Sequence, residues 1–217
     1  MKIVIIIPAY NPPQSFISLL QNIRTKTFIP IIIIDDGSIP KINMVIANTI
    51  LLRNKSNSGK GYSLIRGFNE ALSRGYSHAI TMDADSQHDP DMLQSFIKIN
   101  ANISIVLGNR QFNANMPIHR RISNKLTSSV ISIICRKNIL DAQCGYRRYK
   151  LDNVCSNNYM ENGYQFESEV LIKILADNCT LHHIEIPTIY AQENSSINIF
   201  WDTIKFVRLI IRYLIRV

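Results

Sequence analysis

The chain has 217 residues, a formal net charge of +8 and a sequence pI near 9.4. Apolar residues make up 46% of it and charged residues 18%, which excludes an intrinsically disordered chain and is typical of a globular protein with one substantial core. The excess of positive charge favours polyanionic partners, such as nucleic acid, an anionic membrane or phosphorylated small molecules.

Neither the cysteines nor the N-terminal residues indicate export. The four cysteines have no C-x-x-C spacing and no zinc-binding pattern, as is usual for reduced thiols in a cytosolic protein. The aliphatic run after Met1 is too short for a signal peptide, and no uninterrupted apolar segment is long enough to span a membrane. We therefore expect a cytoplasmic protein without a transmembrane helix.

Strands and helices alternate along the chain. Aliphatic or mostly apolar runs predict strands at 3–7, 31–34, 49–52, 76–82 and 103–108. Apolar residues at helical spacing predict helices at 15–23, 64–72, 119–134 and 165–175, with Glu167 and Glu169 on different faces of the last one. This alternation predicts an α/β fold with a mostly parallel sheet, in which ligands bind at the carboxyl ends of the strands.

Polar residues follow three of the predicted strands and should meet at one edge of the sheet. They are Pro8–Asn11 after the first strand, Asp35 and Asp36 after the second, and Asp83–Asp85 after the fourth. On an extended backbone Asp83 and Asp85 project to the same side and repel each other unless a cation lies between them. With the amide oxygen of Gln87 they form a set of hard ligands suited to Mg²⁺ or Mn²⁺. The alternative is that both aspartates are turn and N-cap residues.

Gly59-Lys60-Gly61 precedes the second helix. Glycines allow a close backbone approach to a phosphate, and Lys60 would add charge. The segment matches neither a P-loop nor a Rossmann fingerprint, and an ordinary turn before a helix is the alternative.

Several short segments together resemble a known family. They are Ile6–Asn11, Ile33–Ser38, Asn57–Gly61, Met82–Pro90, Gly108–Arg110, Asp141–Arg147 and Gly163–Glu169. In this order, over about residues 1–196, they resemble the family-2 glycosyltransferases of the GT-A fold, in particular the polyprenyl-phosphate (dolichol-phosphate) mannosyl- and glucosyltransferases. The resemblance implies a metal-dependent transfer, with inversion, of a sugar from a nucleoside diphosphate sugar to an acceptor.

The resemblance also implies roles for individual residues. The nucleotide sugar would be held by Pro8, Ala9, Tyr10, Asn11, Asp35, Asp36, Lys60, Gly61, Asp83 and Ala84, and the Mg²⁺ or Mn²⁺ ion by Asp83, Asp85 and Gln87. Asp85 would be the principal ligand and so a catalytic residue. Asn11 stands where the family more often has Glu, so the base preference stays open.

The second half of the chain carries the expected acceptor side. Arg110, Arg120, Arg121, Arg147 and Arg148 predict a guanidinium-rich rim for phosphate oxygens, with a solvated basic face as the alternative. A lipid phosphate is already anionic and needs no general base. A sugar or protein hydroxyl needs one, and Asp141 is then the best candidate. Arg147 is expected to act on the acceptor during catalysis.

The last residues predict an amphipathic helix outside the main domain, so that the chain divides into residues 1–196 and 197–217. Lys205, Arg208, Arg212 and Arg216 form a basic stripe beside Trp201 and many aliphatic residues. Such a helix suits the membrane interface, which predicts a peripheral protein at the inner face of the membrane with a polyprenyl phosphate or other lipid acceptor. A helix docked on the core is the alternative.

Two other classes of function remain open at this point. A sugar-phosphate nucleotidyltransferase on a related sheet would also need paired carboxylates and a metal ion. A non-catalytic nucleic-acid binder would suit the positive charge, but the aromatic residues do not alternate with the basic ones as stacking platforms would require. We therefore expect no nucleic-acid partner.

Overall fold

The computed structural model describes residues 1–43, 46–111, 118–176, 179–189 and 199–215, with the backbone alone for 119, 199 and 200. The strands are β1 Ile3–Ala9, β2 Ile31–Asp35, β3 Thr49–Arg53, β4 His78–Thr81, β5 Ile105–Arg110, β6 Arg147–Lys150 and β7 Leu181–Ile186. The helices are α1 Ser15–Lys26, α2 Lys60–Ser73, α3 Leu93–Lys98, α4 Ile118–Cys135, α5 Leu151–Cys155, α6 Phe166–Ala176 and α7 Ile199–Leu214.

The strands form one sheet in the order β3-β2-β1-β4-β6-β5-β7. All neighbouring strands are parallel except β6, which runs antiparallel to both β4 and β5. Ala9 pairs with Asp35 where β1 and β2 end, and Thr81 at the end of β4 pairs with Arg147 at the start of β6. The reversal of β6 therefore brings the loop before it to the same edge as the carboxyl ends of β1, β2 and β4.

Helices cover both faces of the sheet, because the central strands are aliphatic on both sides. In β1, Val4 and Ile6 face a core formed with α2, α4, α5, α6 and α7. Ile3, Ile5 and Ile7 face a second core with α1 and α3. Each fully buried isoleucine contributes about 1.5–3 kcal/mol to folding, so these strands form a rigid base for the loops at their ends.

The predicted α/β fold with a mostly parallel sheet is confirmed. The predicted strands and helices differ from the observed ones mainly at their ends: β4 stops at Thr81 and β5 extends to Arg110. Strands β6 and β7 and helix α5 were not predicted from the sequence. The predicted domain boundary after residue 196 lies outside the described residues. No described helix is long and apolar enough to cross a membrane.

Helix α7 packs on the domain with one face and exposes apolar side chains on the other. Leu209 is fully buried in the core, and Phe206, Ile210 and Tyr213 pack against it. The exposed face carries Trp201, Ile204, Val207, Ile211 and Leu214. The docked alternative from the sequence therefore holds for one face of α7, whereas contact of the other face with a membrane stays a prediction.

Candidate active site

Three elements bring their charged residues together at the carboxyl edge of the sheet. Lys60 lies at the start of α2, Asp83 follows β4, and Glu167 lies in the first turn of α6. The Lys60 Nζ atom is 2.7 Å from Asp83 Oδ1 and 3.0 Å from Glu167 Oε2. Burial disfavours the charges of Lys60 and Asp83, but the two carboxylates raise the pKa of Lys60, and the attraction of Lys60 lowers the pKa of Asp83 to about 2. Lys60 and Asp83 are therefore ionised at neutral pH.

Glu167 has an unused oxygen. Its Oε1 atom is buried and has no hydrogen-bond partner among the described residues, while Oε2 binds Lys60. Glu169, two residues on, lies against α7, where it accepts a hydrogen bond from the Tyr213 hydroxyl at 3.1 Å. The sequence predicted that these two glutamates lie on different faces of α6, and Glu167 is the one that faces the site.

Asp85 and His88 complete the loop after β4. Asp85 Oδ1 accepts a hydrogen bond from the Gln87 amide at 3.0 Å, and burial together with the charge of Asp83 raises the pKa of Asp85. His88 Nδ1 accepts the Asp83 backbone N–H at 3.0 Å, and its ring stacks on Tyr146. Burial lowers the pKa of His88, which agrees with a neutral ring acting as an acceptor. His88 thus fixes the backbone of Asp83.

The residues after β4 suit a hard divalent cation. Burial and the negative charge of Asp83 disfavour the ionised form of Asp85. A cation shared by the two carboxylates would relieve their repulsion. No group of three or more His, Cys, Asp or Glu side chains gathers in ligating geometry in the part of the chain that the structure describes. Mg²⁺ commonly binds through one or two carboxylates and takes its remaining ligands from water and substrate phosphates. The carboxylates of Asp83 and Asp85 and the side-chain amide oxygen of Gln87 fit that pattern.

Asp36 connects this group to the end of β2. Its carboxylate accepts hydrogen bonds from Asn54 Nδ2 at 2.6 Å, from the Ser58 amide at 3.0 Å and from the Gly59 amide at 2.9 Å. Gly59 directly precedes Lys60, which reaches Asp83. Asp36 and Asp83 therefore lie at one edge of the sheet, as the order of the strands predicted.

The Gly-Lys-Gly segment differs from the expected phosphate cradle. The Gly59 amide is taken by Asp36, and the Gly61 amide donates to Asn162 O at 2.7 Å. A Cβ atom at Gly61 would lie 2.5 Å from the Cβ of Phe166. Gly61 is thus required for close packing of α2 on the segment before α6, and these amides are not available to a phosphate. Of this segment, only Lys60 presents its side chain to the site.

Asp35 is buried and shapes the adjoining loop. It accepts from the Ser38 amide at 2.8 Å and pairs with Arg53, and although burial opposes its charge, these contacts lower its pKa. Asn11 has φ +44, and its backbone N–H donates a hydrogen bond to Ser38 Oγ at 2.9 Å. Tyr10 is half exposed beside this loop, whereas Ala9 is buried and Pro8 partly buried. Contact of these residues with a nucleoside stays a prediction.

Asp141 and Arg110 form a second charged group. Arg110 Nε is 2.7 Å from Asp141 Oδ2, its Nη2 is 3.0 Å from Oδ1, and Asn124 Nδ2 donates to Oδ1 at 2.8 Å. Asp141 is fully buried; burial opposes its charge, but these donors lower its pKa. An efficient general base needs a pKa near the working pH. The environment of Asp141 therefore suits an anchor for Arg110 and argues against the role of general base that a hydroxyl acceptor would require.

The prediction that Arg147 and Arg148 belong to an exposed rim is wrong. Both side chains are fully buried. Arg147 donates to the carbonyls of Ala142, Cys144 and Glu167 at 2.6–2.9 Å. Arg148, on the opposite face of β6, donates to the carbonyls of Phe96, Ile99 and Asn100 at 2.6–2.9 Å. Successive strand residues point to opposite faces, so the two cannot share one rim. Arg147 acts as a scaffold for the site.

That scaffold places Gly145 directly against Asp83. Thr81 Oγ1 donates to Gly145 O at 2.7 Å, which ties the loop before β6 to the end of β4. A Cβ atom at Gly145 would lie 2.7 Å from Asp83 Oδ2 and 3.0 Å from Lys60 Nζ. The Asp141–Arg147 segment therefore forms one wall of the site.

Most of the predicted site residues lie close together in the structure. Lys60, Gly61, Asp83, Ala84, Asp85, Gln87 and Asp36 lie at one edge of the sheet, and Arg110 is close enough to favour the charged form of Asp83. Arg120 and Arg121 lie half-buried in the first turn of α4, and their acceptor role stays a prediction. Sequence reasoning missed Asn54 and Asn124, which carry only ordinary amide groups, and gave His88 no role in the site.

The sequence model described as "Glycosyl transferase family 2" matches residues 4–154. The chain belongs to this family. It is therefore a glycosyltransferase, as the resemblance implied.

Named relatives act on polyprenyl phosphates. The chain is 27% identical to a UDP-N-acetylglucosamine–dolichyl-phosphate N-acetylglucosaminyltransferase of Methanococcus voltae, over 88% of this chain and 86% of that protein. It is 28% identical to an undecaprenyl-phosphate mannosyltransferase of Micrococcus luteus, over 71% of this chain and 68% of that protein. It is 23% identical to a polyprenol monophosphomannose synthase of Mycolicibacterium smegmatis, over 91% of this chain and 80% of that protein.

The fold is similar to that of a solved glycosyltransferase. Glucosyl-3-phosphoglycerate synthase from Mycobacterium tuberculosis, in complex with Mn²⁺, uridine diphosphate and glucosyl-3-phosphoglycerate, superposes with a TM-score of 0.70. The match covers 99% of this chain and 79% of that one at 15% sequence identity. The predicted GT-A fold is confirmed.

Proposed function

We propose that this glycosyltransferase moves a sugar from a nucleoside diphosphate sugar to a polyprenyl phosphate, with Mg²⁺ or Mn²⁺ and with inversion at the anomeric carbon. The observation that carries the proposal is the pair Asp83 and Asp85 at the carboxyl edge of the sheet, with Arg110 held by Asp141 beside it. The family and the polyprenyl-phosphate relatives support the same reaction.

The donor side follows from the charges around Asp83. Asp83, Asp85 and Gln87 would hold the divalent ion, which when bound neutralises the departing diphosphate. Lys60 balances Asp83 in the absence of a donor and supplies positive charge beside the position of the diphosphate. We expect the nucleoside to extend along the ends of β1 and β2, beside the half-exposed Tyr10 and near Asp36.

The acceptor side favours a phosphate over a hydroxyl. A lipid phosphate needs a cation to position it and no base to deprotonate it. Arg110 provides that cation, because Asp141, itself held by Asn124, fixes the orientation of the guanidinium group. A hydroxyl acceptor would need Asp141 as the base, and the lowered pKa of Asp141 opposes that role.

We further propose that the exposed apolar face of α7 keeps the enzyme at the membrane that holds its acceptor. Trp201, Ile204, Val207 and Ile211 lie on this face, and the cations Lys205 and Arg208 belong to the same helix. Such a helix binds in the plane of the interface. The enzyme would then be a peripheral protein at the cytoplasmic face of the membrane.

The test is transfer from a panel of nucleoside diphosphate sugars to a short-chain polyprenyl phosphate with Mn²⁺ or Mg²⁺ present. We expect one donor to give product, and Asp85→Asn to lower kcat/KM at least about 1,000-fold, or about 4 kcal/mol, with an unchanged melting temperature. Asp152→Asn, an exposed aspartate in α5, is the matched control and should keep full activity. Full turnover by Asp85→Asn would remove the metal role, and no product with any donor would refute the proposed reaction.

A further inference from the structure

Helix α4 has an apolar ridge on the side that points away from the core. Ile118, Ile122, Leu126 and Ile133 are 63–76% exposed. At 100° per residue these four positions fall within an arc of about 80°. The opposite side of the helix is buried and includes Ile131 and Cys135. A helix on the surface of a soluble domain normally carries polar residues on its outer side, so this ridge needs a partner.

The charges of α4 indicate which partner fits. Between Ile118 and Cys135 the helix has no acidic residue. At 100° per residue, Arg120 lies on the side opposite the ridge, and the cations that flank the ridge along one edge are Arg121 and Lys125. In a symmetric dimer through this ridge, the same cations of two copies would face each other without a carboxylate from either α4 between them. Anionic lipid headgroups would pair with these cations while the aliphatic side chains enter the acyl boundary.

The inner side of the same helix reaches the site. Asn124 Nδ2 donates to Asp141 Oδ1 at 2.8 Å, and Ser128 Oγ accepts the Ala142 amide at 2.9 Å. A helix with its side chains is about 10 Å across. A lipid surface on the outer ridge would therefore lie about one helix diameter from the pair Arg110–Asp141.

We propose that the outer ridge of α4, formed by Ile118, Ile122, Leu126 and Ile133, is a second membrane-binding surface that is specific for anionic lipid and separate from α7. This proposal deepens the proposed function. Only the role of the ridge in presenting Arg110 to an acceptor phosphate at headgroup level rests on that function. Binding of the ridge to lipid does not depend on the reaction.

The test measures binding to phosphatidylcholine vesicles with and without phosphatidylglycerol. We expect the wild type to bind the anionic vesicles, and the triple variant Ile122→Ser/Leu126→Ser/Ile133→Ser to bind them about tenfold less tightly. A control variant, Ile17→Ser/Phe28→Ser/Leu72→Ser, replaces exposed apolar residues elsewhere and should bind within about twofold of the wild type. Equal binding by wild type and triple variant, or no vesicle binding by the wild type, would overturn the proposal.

A second measurement separates lipid from a second copy of the chain. Trp201 on α7 is the only tryptophan, so Trp201→Phe/Leu126→Trp moves the fluorescent group to α4. A blue shift of its emission on anionic vesicles supports the proposal, and an unchanged spectrum contradicts it. A wild-type dimer that the triple variant converts to monomers, with vesicle binding unchanged, would assign the ridge to a second copy.

Activity toward a water-soluble short-chain acceptor separates this proposal from the proposed function. The triple variant should keep wild-type kcat/KM with that acceptor and lose activity only when the acceptor is embedded in vesicles. If the wild type transfers no sugar to any acceptor, the reaction fails, while the vesicle measurements still decide whether α4 binds lipid.

Discussion

Gly145→Ala tests whether the loop before β6 positions Asp83. A Cβ atom at this position would lie 2.7 Å from Asp83 Oδ2, whereas ordinary contact begins at 3.4 Å. The loop cannot retreat easily, because Arg147 donates to the carbonyl of Cys144 at 2.6 Å and Thr81 donates to that of Gly145 at 2.7 Å. The carboxylate must therefore move by about 0.7 Å, the difference between 3.4 and 2.7 Å.

The expected effect is on catalysis more than on stability. A misplacement of about 1 Å in a reacting group costs about 100-fold in rate. We therefore expect Gly145→Ala to lower kcat/KM for the donor by about 10- to 100-fold, or about 1.4–2.7 kcal/mol. The crowding costs about 1–2 kcal/mol of unfolding free energy, at the lower end for overpacked positions.

The assay compares kcat/KM with urea unfolding for two alanine variants. Gly75 has φ +76 and nothing within 4 Å of its added Cβ atom, so Gly75→Ala should lose about 1 kcal/mol of stability and no activity. This control separates lost stability from lost geometry. Wild-type kcat/KM in Gly145→Ala would refute the reasoning, because Asp83 would then not be held where the reaction needs it.

Three other changes address the remaining charged groups. Arg147→Met should lower the unfolding free energy by about 3 kcal/mol, since three buried carbonyls lose their donor at about 1 kcal/mol each; urea denaturation measures this, and unchanged stability would return Arg147 to the acceptor side. Lys60→Met removes the cation that keeps the pKa of Asp83 low, so the acidic limb of the pH profile of kcat/KM should move to higher pH; an unmoved limb would contradict the pairing. The pKa of Asp141 is lowered in the folded state, so its ion pair with Arg110 contributes stability above the unfolded pKa of about 3.9 and loses it as pH falls through the folded pKa. Asp141→Asn should therefore cost about 3 kcal/mol at pH 7 and progressively less in acid. Urea unfolding at several pH values measures this loss, and a loss independent of pH would contradict the ion-pair explanation.

The sheet and the acidic edge could be predicted because both depend on local patterns. Continuous aliphatic runs such as Ile31–Ile34 can only be buried on both faces, which makes them central parallel strands. The carboxyl ends of parallel strands lie at one edge, so residues after β2 and β4 had to meet there. Helix α6 could be predicted for the same reason, and its periodicity already separated Glu167 from Glu169.

The environments of individual charges could not be predicted, because they depend on contacts between distant segments. Gly61 was expected to approach a phosphate, but it is needed because Phe166, about a hundred residues later, packs against it. The antiparallel direction of β6 had no sequence signal, and it is this reversal that brings Asp141 and Gly145 to the site. The exposed ridge of α4 was likewise hidden, since periodicity shows that apolar positions recur but not which side the core will cover.

Several arginines bind backbone carbonyls inside the protein, and for this reason the positive charge was a poor guide to the acceptor site. Arg24 donates to the carbonyls of Ile29, Ala47 and Asn48, and Arg147 and Arg148 likewise serve backbone carbonyls. A buried guanidinium has five N–H donors in a planar group and can join several chain segments at once. Part of the +8 charge therefore holds the fold together and is not available to substrate. The proposed acceptor site depends instead on Arg110, whose orientation is fixed by Asp141, and on a helix whose outer ridge can hold the enzyme against lipid.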